Sequence, residues 1–304
     1  MHNISGRWRL GLLLSLVTVV LWGILPLGLT ITLQVLDVYT VTWFRFLLSF
    51  ILLAGYLGMR GKLPTQANIR STSWQLLAVA ILFLAANYIL FLQGLALTSP
   101  ANAEVIIQLA PLLMGFGSLI LFRERYIFRQ WVGVGVLTLG LVLFFHEKLT
   151  NLITAPANYL LGSSLVILGA IAWAIYALAQ KQLLQTLSAA HIMLIIYGGC
   201  AFLFSFFATP KLLFTLNNFH WSMLIFCGLN TLIAYGAFAE SLEHWEASRI
   251  SAVIATAPIV TLISVDAVSV IAPGLIAPEH LTMIAIAGAI MVVAGSIAIS
   301  LGKR

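Results

Sequence analysis

Two copies of one apolar pattern fill this chain of 304 residues. Trp22, in the first apolar segment, has a counterpart 151 positions later at Trp173. At the same offset Leu10-Gly11 falls on Leu161-Gly162, Ile24 on Ile175 and Gln34 on Gln185. The offset then shortens to 147, where Tyr88 meets Tyr235, Phe91 meets Phe238 and Ala110-Pro111 meets Ala257-Pro258. Near the end of each half it lengthens to 155, pairing Glu124 with Glu279, Gly133 with Gly288 and Gly140 with Gly295. The changes of offset fall between apolar segments or at their ends, where loops tolerate insertion. Two units are therefore expected, residues 1–150 and 151–304.

Composition puts both copies in a membrane. The chain is 62% hydrophobic and only 8% charged, against about 25% charged for a soluble domain. No stretch is long and polar enough for a soluble domain, so the two copies form one membrane domain. Paired membrane repeats suggest a transporter, because alternating access is commonly built from them. Cys200 and Cys227 both lie in apolar stretches and read as buried, inert thiols. Arg7 and Arg9 precede an apolar run, as in a signal peptide. That run, from Leu10 to about Ile31, is too long for a signal h-region and no small-x-small site follows, so it is expected to stay as a helix.

A spanning helix needs about 20 mostly apolar residues. Ten segments qualify: 10–31, 39–59, 74–97, 100–122 and 128–146, then 158–180, 189–208, 221–242, 247–271 and 280–301. With the N-terminus in the cytoplasm, twelve Lys and Arg fall on that side: Arg7, Arg9, Arg60, Lys62, Arg70, Arg123, Arg125, Arg129, Lys181, Arg249, Lys303 and Arg304. Only Lys148 and Lys211 fall outside, and Arg45 lies within a helix. This bias places both termini in the cytoplasm, and the net charge of +6 reflects orientation rather than nucleic-acid binding. Five helices per copy is an odd number, so the second copy is inserted upside down. The expected fold is an all-α membrane protein of ten transmembrane helices, as two inverted five-helix repeats, with a binding site near mid-membrane between them.

These features resemble the EamA family of the drug/metabolite transporter superfamily, over nearly the whole chain. The resemblance rests on the Trp opening each half and on Arg45-Phe46. It rests also on the run from Thr98 to Ala103 leading to Leu109-Ala110-Pro111-Leu112, and on the Arg123-Glu124-Arg125 turn before Gly133 and Gly140. The second copy repeats this as Glu246 to Arg249, Ala257-Pro258, and Glu279 before Gly288 and Gly295. It departs from the pattern by a longer loop from Ser269 to Pro278. The resemblance implies efflux of a small metabolite, often an amino acid or a relative, across the bacterial inner membrane. It implies no particular substrate, since one fold carries many ligands.

Polar groups in hydrocarbon are costly and tend to face the bundle interior. Arg45 and Glu104 lie at similar depth, roughly 6–8 Å below the outer ends of their helices at 1.5 Å per residue. They are expected to form an ion pair, an outer gate or a contact to a zwitterionic substrate. Glu240 is the candidate for proton coupling, because its repeat partner is the neutral Gln93. Asp266 and His244 lie nearer helix ends, where a solvated position accounts for them. The mid-membrane set of Trp22, Asn87, Tyr88, Gln108, Trp173, Tyr176, Asn230 and Tyr235 is expected to supply the substrate pocket. Pro26, Pro111 and Pro258 each remove a helix hydrogen bond and mark kinks or gating bends. The glycines seven apart at 133 and 140, and at 288 and 295, predict that helices 5 and 10 pack closely.

An enzyme is poorly supported. His146-Glu147 lacks the second His of a metalloprotease motif, and no nucleotide loop or nucleophile triad stands out. No cofactor or metal is expected. The expected partners are a small-molecule substrate, the lipid bilayer and protons, with the chain acting as a monomer. A passive channel or a ligand-sensing protein is the alternative.

Overall fold

The computed structural model describes residues 5–65, 72–123, 126–144, 146, 157–272 and 282–300. The acidic turns at Glu124 and Glu279, most of the long loop before the last helix, and Arg70, Arg125, Lys148, Lys303 and Arg304 lie outside the described residues.

Every regular element among the described residues is helical. In chain order the helices are α1 (Trp8–Thr32), α2 (Val38–Met59), α3 (Trp74–Leu97), α4 (Pro100–Ile106), α5 (Leu109–Leu121) and α6 (Phe128–Phe144). They continue as α7 (Ala157–Leu183), α8 (Ala189–Ser205), α9 (Asn218–His244), α10 (Ala247–Ile254), α11 (Ala257–Ile271) and α12 (Met283–Ser300). A 3-10 turn, Pro210–Thr215, joins α8 to α9; hydropathy gave no sign of it. Seven apolar helical runs are long enough to cross a membrane, counting α4–α5 and α10–α11 as single runs, and three shorter apolar helices accompany them. The chain is a multi-pass helical membrane protein. A helix is the form that satisfies backbone polar groups where water is absent.

Local sequence sets the helix starts. Asp37 accepts from the N–H groups of Tyr39 and Thr40, both at 2.9 Å, and so caps α2. Asn217 does the same for α9 through His220 N–H at 2.9 Å, and Ser73 and Ser188 cap α3 and α8. Gly61 takes φ of +62° just past α2, a backbone turn that suits a residue without Cβ. The end of α9 is closed differently. Lys181, expected on the cytoplasmic surface, is buried instead, and its Nζ donates to the carbonyls of Leu242 at 2.6 Å and Trp245 at 3.2 Å. A cation there satisfies carbonyls that the helix end leaves without partners.

Proline marks two of the helix breaks. Pro111 and Pro258 each follow a two-residue interruption, at Ile107-Gln108 and Ala255-Thr256. A proline cannot bond the carbonyl four residues before it and pushes against it. In the first break that carbonyl, of Ile107, accepts instead from Ala110 N–H at 2.8 Å. Pro26 behaves otherwise: α1 runs through it without interruption.

The helices pair across the sequence halves. α1 packs on α9, α3 on α7, α2 on α8 and α6 on α12. α6 and α12 approach closely, as their glycine spacing predicts. A Cβ at Gly133 would stand 3.0 Å from the Gly295 carbonyl, and one at Gly140 would stand 2.9 Å from the Gly288 carbonyl. The order of these contacts makes the two helices antiparallel. Small residues let backbones touch and gain dispersion contacts that the bilayer itself does not supply.

Gly140→Val should therefore be destabilising, since its Cβ would also meet the Val292 backbone N at 2.7 Å, which cannot move aside. The expected cost is at least about 1–3 kcal/mol, as for other overpacking changes. Gly135→Ala, on the same helix with nothing within 4 Å, should instead be neutral or stabilising by about 0.5–1 kcal/mol. Thermal unfolding of the two purified variants checks this. Equal melting temperatures would remove the glycine contact as a stabilising feature.

Candidate functional site

A cavity of about 80 Å³ opens between the two halves. Helical spacing decides which residues reach it. α1 turns Trp22, Leu25 and Leu29 toward it, and α3 turns Asn87, Tyr88, Phe91 and Leu92. Both sets have the three- and four-residue spacing of one helix face. Arg45 comes from α2, Glu104 from α4, Trp173 from α7 and Tyr235 from α9. The two helix breaks complete the wall with Ile107, Gln108, Ala110 and Pro111 on one side and Ile254 and Ala257 on the other. Leu29, Leu92 and Glu104 place the cavity toward the ends where α1 passes to α2 and α3 passes to α4.

Aromatic rings close the other end. Trp22 is the hub, with ring centroids 4.9 Å from Tyr235, 5.6 Å from Trp173 and 5.6 Å from Phe238. Tyr88 lies 5.6 Å from Tyr235 and 4.4 Å from Phe46. Edge-to-face and tilted pairs at these distances are favourable beyond their buried area. Two of the contacts join repeat-related residues directly: Trp22 with Trp173, and Tyr88 with Tyr235.

The charged residues share the wall without pairing. Arg45 is only 2% exposed; its Nε donates to Thr231 Oγ1 at 2.9 Å, and its guanidinium lies 4.5 Å from the Tyr88 ring centroid. Such a cation–π contact is worth roughly 2 kcal/mol when desolvated. The expected Arg45–Glu104 ion pair is absent among the described residues. Depth along two helices fixed their level but not their direction around the helix axis, and Thr231 and Tyr88 hold the guanidinium instead. Glu104, 6% exposed, has no protein partner for its carboxylate among the described residues. One turn later Gln108 donates from Nε2 to the Glu104 carbonyl at 3.1 Å, while its buried Oε1 has no partner among the described residues.

Six of the eight expected pocket residues line the cavity; Tyr176 and Asn230 do not. Tyr176 is fully buried behind Trp173, 6.3 Å away, with its hydroxyl at 3.6 Å from Met193 Sδ. Asn230 is spent on structure, its Nδ2 donating to the Leu21 carbonyl at 2.6 Å and tying α9 to α1. Asn87 combines both roles, lining the cavity while its Nδ2 donates to the Gly169 carbonyl of α7 at 3.0 Å. Pro111 lines the cavity, whereas Pro258 and Pro26 do not. Glu240 lies outside it, its side chain 46% exposed and its carboxylate 3.4 Å from His244 Nε2. The apolar lining from Leu25, Leu29, Phe91, Ile107 and Ile254 carried no sequence signal, because such residues occur on every face of these helices.

Thr231→Val keeps the shape of the side chain and removes the acceptor of Arg45 Nε. A buried charged donor left unmatched costs about 1–3 kcal/mol or more. Thr231→Val should lower the melting temperature clearly, and Thr231→Ser, which keeps the hydroxyl, should recover most of the loss. Equal melting temperatures for the two would mean that Thr231 does not hold Arg45.

The chain's relatives agree with this architecture. The EamA-like transporter family pattern matches twice, over residues 9–146 and 160–301. A protein named as the uncharacterized inner membrane transporter YhbE of Escherichia coli (strain K12) is 36% identical over 296 residues, covering 97% of this chain and 92% of its own. An uncharacterized transporter of Haemophilus influenzae is 31% identical over 295 residues, covering 97% of this chain and 96% of its own. A solved crystal structure only 18% identical shares the fold with a TM-score of 0.72, over 96% of this chain and 97% of that one. With the repeat, the paired helices and the cavity between the halves, these matches place the chain in the EamA-like transporter family.

Proposed function

We propose that this protein is a ten-helix secondary carrier that exports a small zwitterionic metabolite across the inner membrane by alternating access. The observation that carries this reading is the cavity wall. It presents a guanidinium and a carboxylate, both buried and not paired to each other. The terminal nitrogens of Arg45 suit a substrate carboxylate, and Glu104 with Gln108 Oε1 suits a substrate ammonium. Trp22, Tyr88, Trp173 and Tyr235 supply apolar area around them. Residues 1–150 and 151–304 are read as inverted repeats. The twofold family match supports this, as do the antiparallel packing of α6 on α12 and the contacts between repeat-related residues. The Lys and Arg bias supports cytoplasmic termini and an outer mouth for the cavity. The ring cluster then bars the inner side, and rocking of the bundles would expose the site to each face in turn.

The test is uptake into proteoliposomes of a panel of labelled L-amino acids, each beside its decarboxylated amine and its deaminated acid. At least one zwitterion is expected to move, with neither single-charge analogue moving comparably. A panel in which only anions move, or in which nothing moves, would sink the reading. Tyr235→Ala should weaken binding of the transported compound by about tenfold, which is about 1.4 kcal/mol. Tyr176→Phe, behind the wall, should leave it unchanged.

Topology has its own check. Reporter fusions at both ends should report the cytoplasm. One end reporting an external location would remove the inverted repeat with it.

A further inference from the structure

In an inverted repeat, opening to the other face exchanges the conformations of the two copies. A contact that both copies make therefore persists, and a contact that only one copy makes belongs to one state. The α1–α9 and α3–α7 seams are of the first kind. Thr18 Oγ1 donates to the Ala234 carbonyl at 3.2 Å, and Asn87 Nδ2 donates to the Gly169 carbonyl at 3.0 Å. Gly169 is the repeat counterpart of Thr18, and Asn87 that of Ala234. A Cβ at Gly11 would stand 2.6 Å from Trp245 Cβ, and one at its counterpart Gly162 would stand 2.8 Å from Cγ2 of Thr98, the counterpart of Trp245.

Lys181 makes a contact of the second kind. α7 packs chiefly on α3 and α5, and α9 chiefly on α1 and α2. The hydrogen bonds from Lys181 Nζ to the Leu242 and Trp245 carbonyls therefore tie one seam to the other, at the ends of α7 and α9 away from the cavity. The repeat counterparts are Thr30 near the end of α1, and Leu95 and Thr98 at the α3–α4 corner. There the tie is not made. Thr30 Oγ1 is buried without a hydrogen-bond partner among the described residues, and the Leu95 carbonyl accepts from Thr98 N–H at 3.3 Å. This open counterpart adjoins Leu29 and Leu92 of the cavity wall. We propose that Lys181 is the latch of the cytoplasmic gate. Its two hydrogen bonds hold the inner side shut while the cavity faces outward. They break when the cavity turns inward, and the Thr30 hydroxyl then donates to a carbonyl of the α3–α4 corner. This rests on the alternating-access reading above and adds to it the residue that sets the resting state.

The chemistry of the two ties is unequal. Carbonyls at a helix C-terminus carry partial negative charge, and an ammonium can donate to more than one of them. Lys181 is buried, so these bonds form without competing water. Bonds from a charged donor are roughly twice as strong as those from a neutral hydroxyl. The inner latch thus outweighs its outer counterpart, and the empty carrier rests open to the outside. Opening the inner side does not strand the charge, because the flexible stem of a lysine at a helix end reaches water.

Distances between spin labels on the full-length protein in lipid nanodiscs, without substrate, test the latch. One label pair, on Gln34→Cys and Ala96→Cys, spans the outer ends of α1 and α3. A second, on Arg7→Cys and Gln185→Cys, spans the inner ends of α1 and α7. All four positions are exposed, and both native cysteines are buried. Lys181→Met keeps the length of the side chain and removes its donors. It should lengthen the inner distance and shorten the outer one, changing the ratio of the two states by about tenfold or more. A longer inner distance with the outer one unchanged would make Lys181 a helix cap only and overturn the proposal, as would no change in either. Thr30→Lys puts an ammonium at the outer counterpart and decides the question even if Lys181→Met does not fold. It too should shorten the outer distance and lengthen the inner one; unmoved distances there would overturn the exchange of latches. The distances are read without substrate, so the two readings fail separately. A shift with no transported compound keeps the latch and removes the substrate reading, and transport with no shift does the reverse.

Discussion

Inside hydrocarbon no water is available to a backbone N–H or C=O, and the rest of this architecture follows from that shortage. It forces the chain into helices and confines irregular backbone to places where protein or a cavity meets it. The breaks at Ile107-Gln108 and Ala255-Thr256 obey this rule. The first lines the cavity itself; the second is flanked by Ile254 and Ala257, which do. Pro111 follows its break by three residues and Pro258 by two, each removing a backbone hydrogen bond there, and the position of the break makes it useful. Both breaks put residues on the same wall, from opposite halves of the sequence.

The same shortage explains how polar side chains are used. Asn230, Asn87, Thr18 and Lys181 are buried, and each donates to a backbone carbonyl of another helix. Thr231 holds Arg45, and Tyr88 covers it. Arg45 is thus fixed without neutralising Glu104. The cavity keeps one anchored cation and one carboxylate that no protein group among the described residues satisfies.

Much of the fold was legible from hydropathy. The apolar segments overlie the helices of the described residues, although 100–122 and 247–271 are each broken into two, and α3 and α8 begin where Ser73 and Ser188 supply caps. Glycine spacing gave the α6–α12 contact outright, since only backbones without Cβ atoms can approach that closely. The site was read less completely, for a physical reason. A helix that is apolar on all sides carries no periodic signal to say which face turns inward. Tyr176 and Trp173 are three residues apart on α7, yet one faces the cavity and the other faces Met193. Asn230 sat at the right depth and pointed at α1 instead. Glu104 was visible as a charge, but its freedom from Arg45 depends on rotation about α2 and α4, which depth alone does not encode.

The helix pairs cut across the order of the chain. α1 is laced to α9 by Thr18 Oγ1 to the Ala234 carbonyl and by Asn230 to the Leu21 carbonyl. α3 and α4 are laced to α7 by Asn87 to Gly169 and by Asn102 to Ser163. The bodies that stay together are therefore mixtures of first-half and second-half helices. Neither half of the gene, expressed alone, encodes a finished bundle. Each lacks the helices its polar groups bond to, so in either half alone the amides of Asn87 and Asn230 lose the carbonyls that hold them.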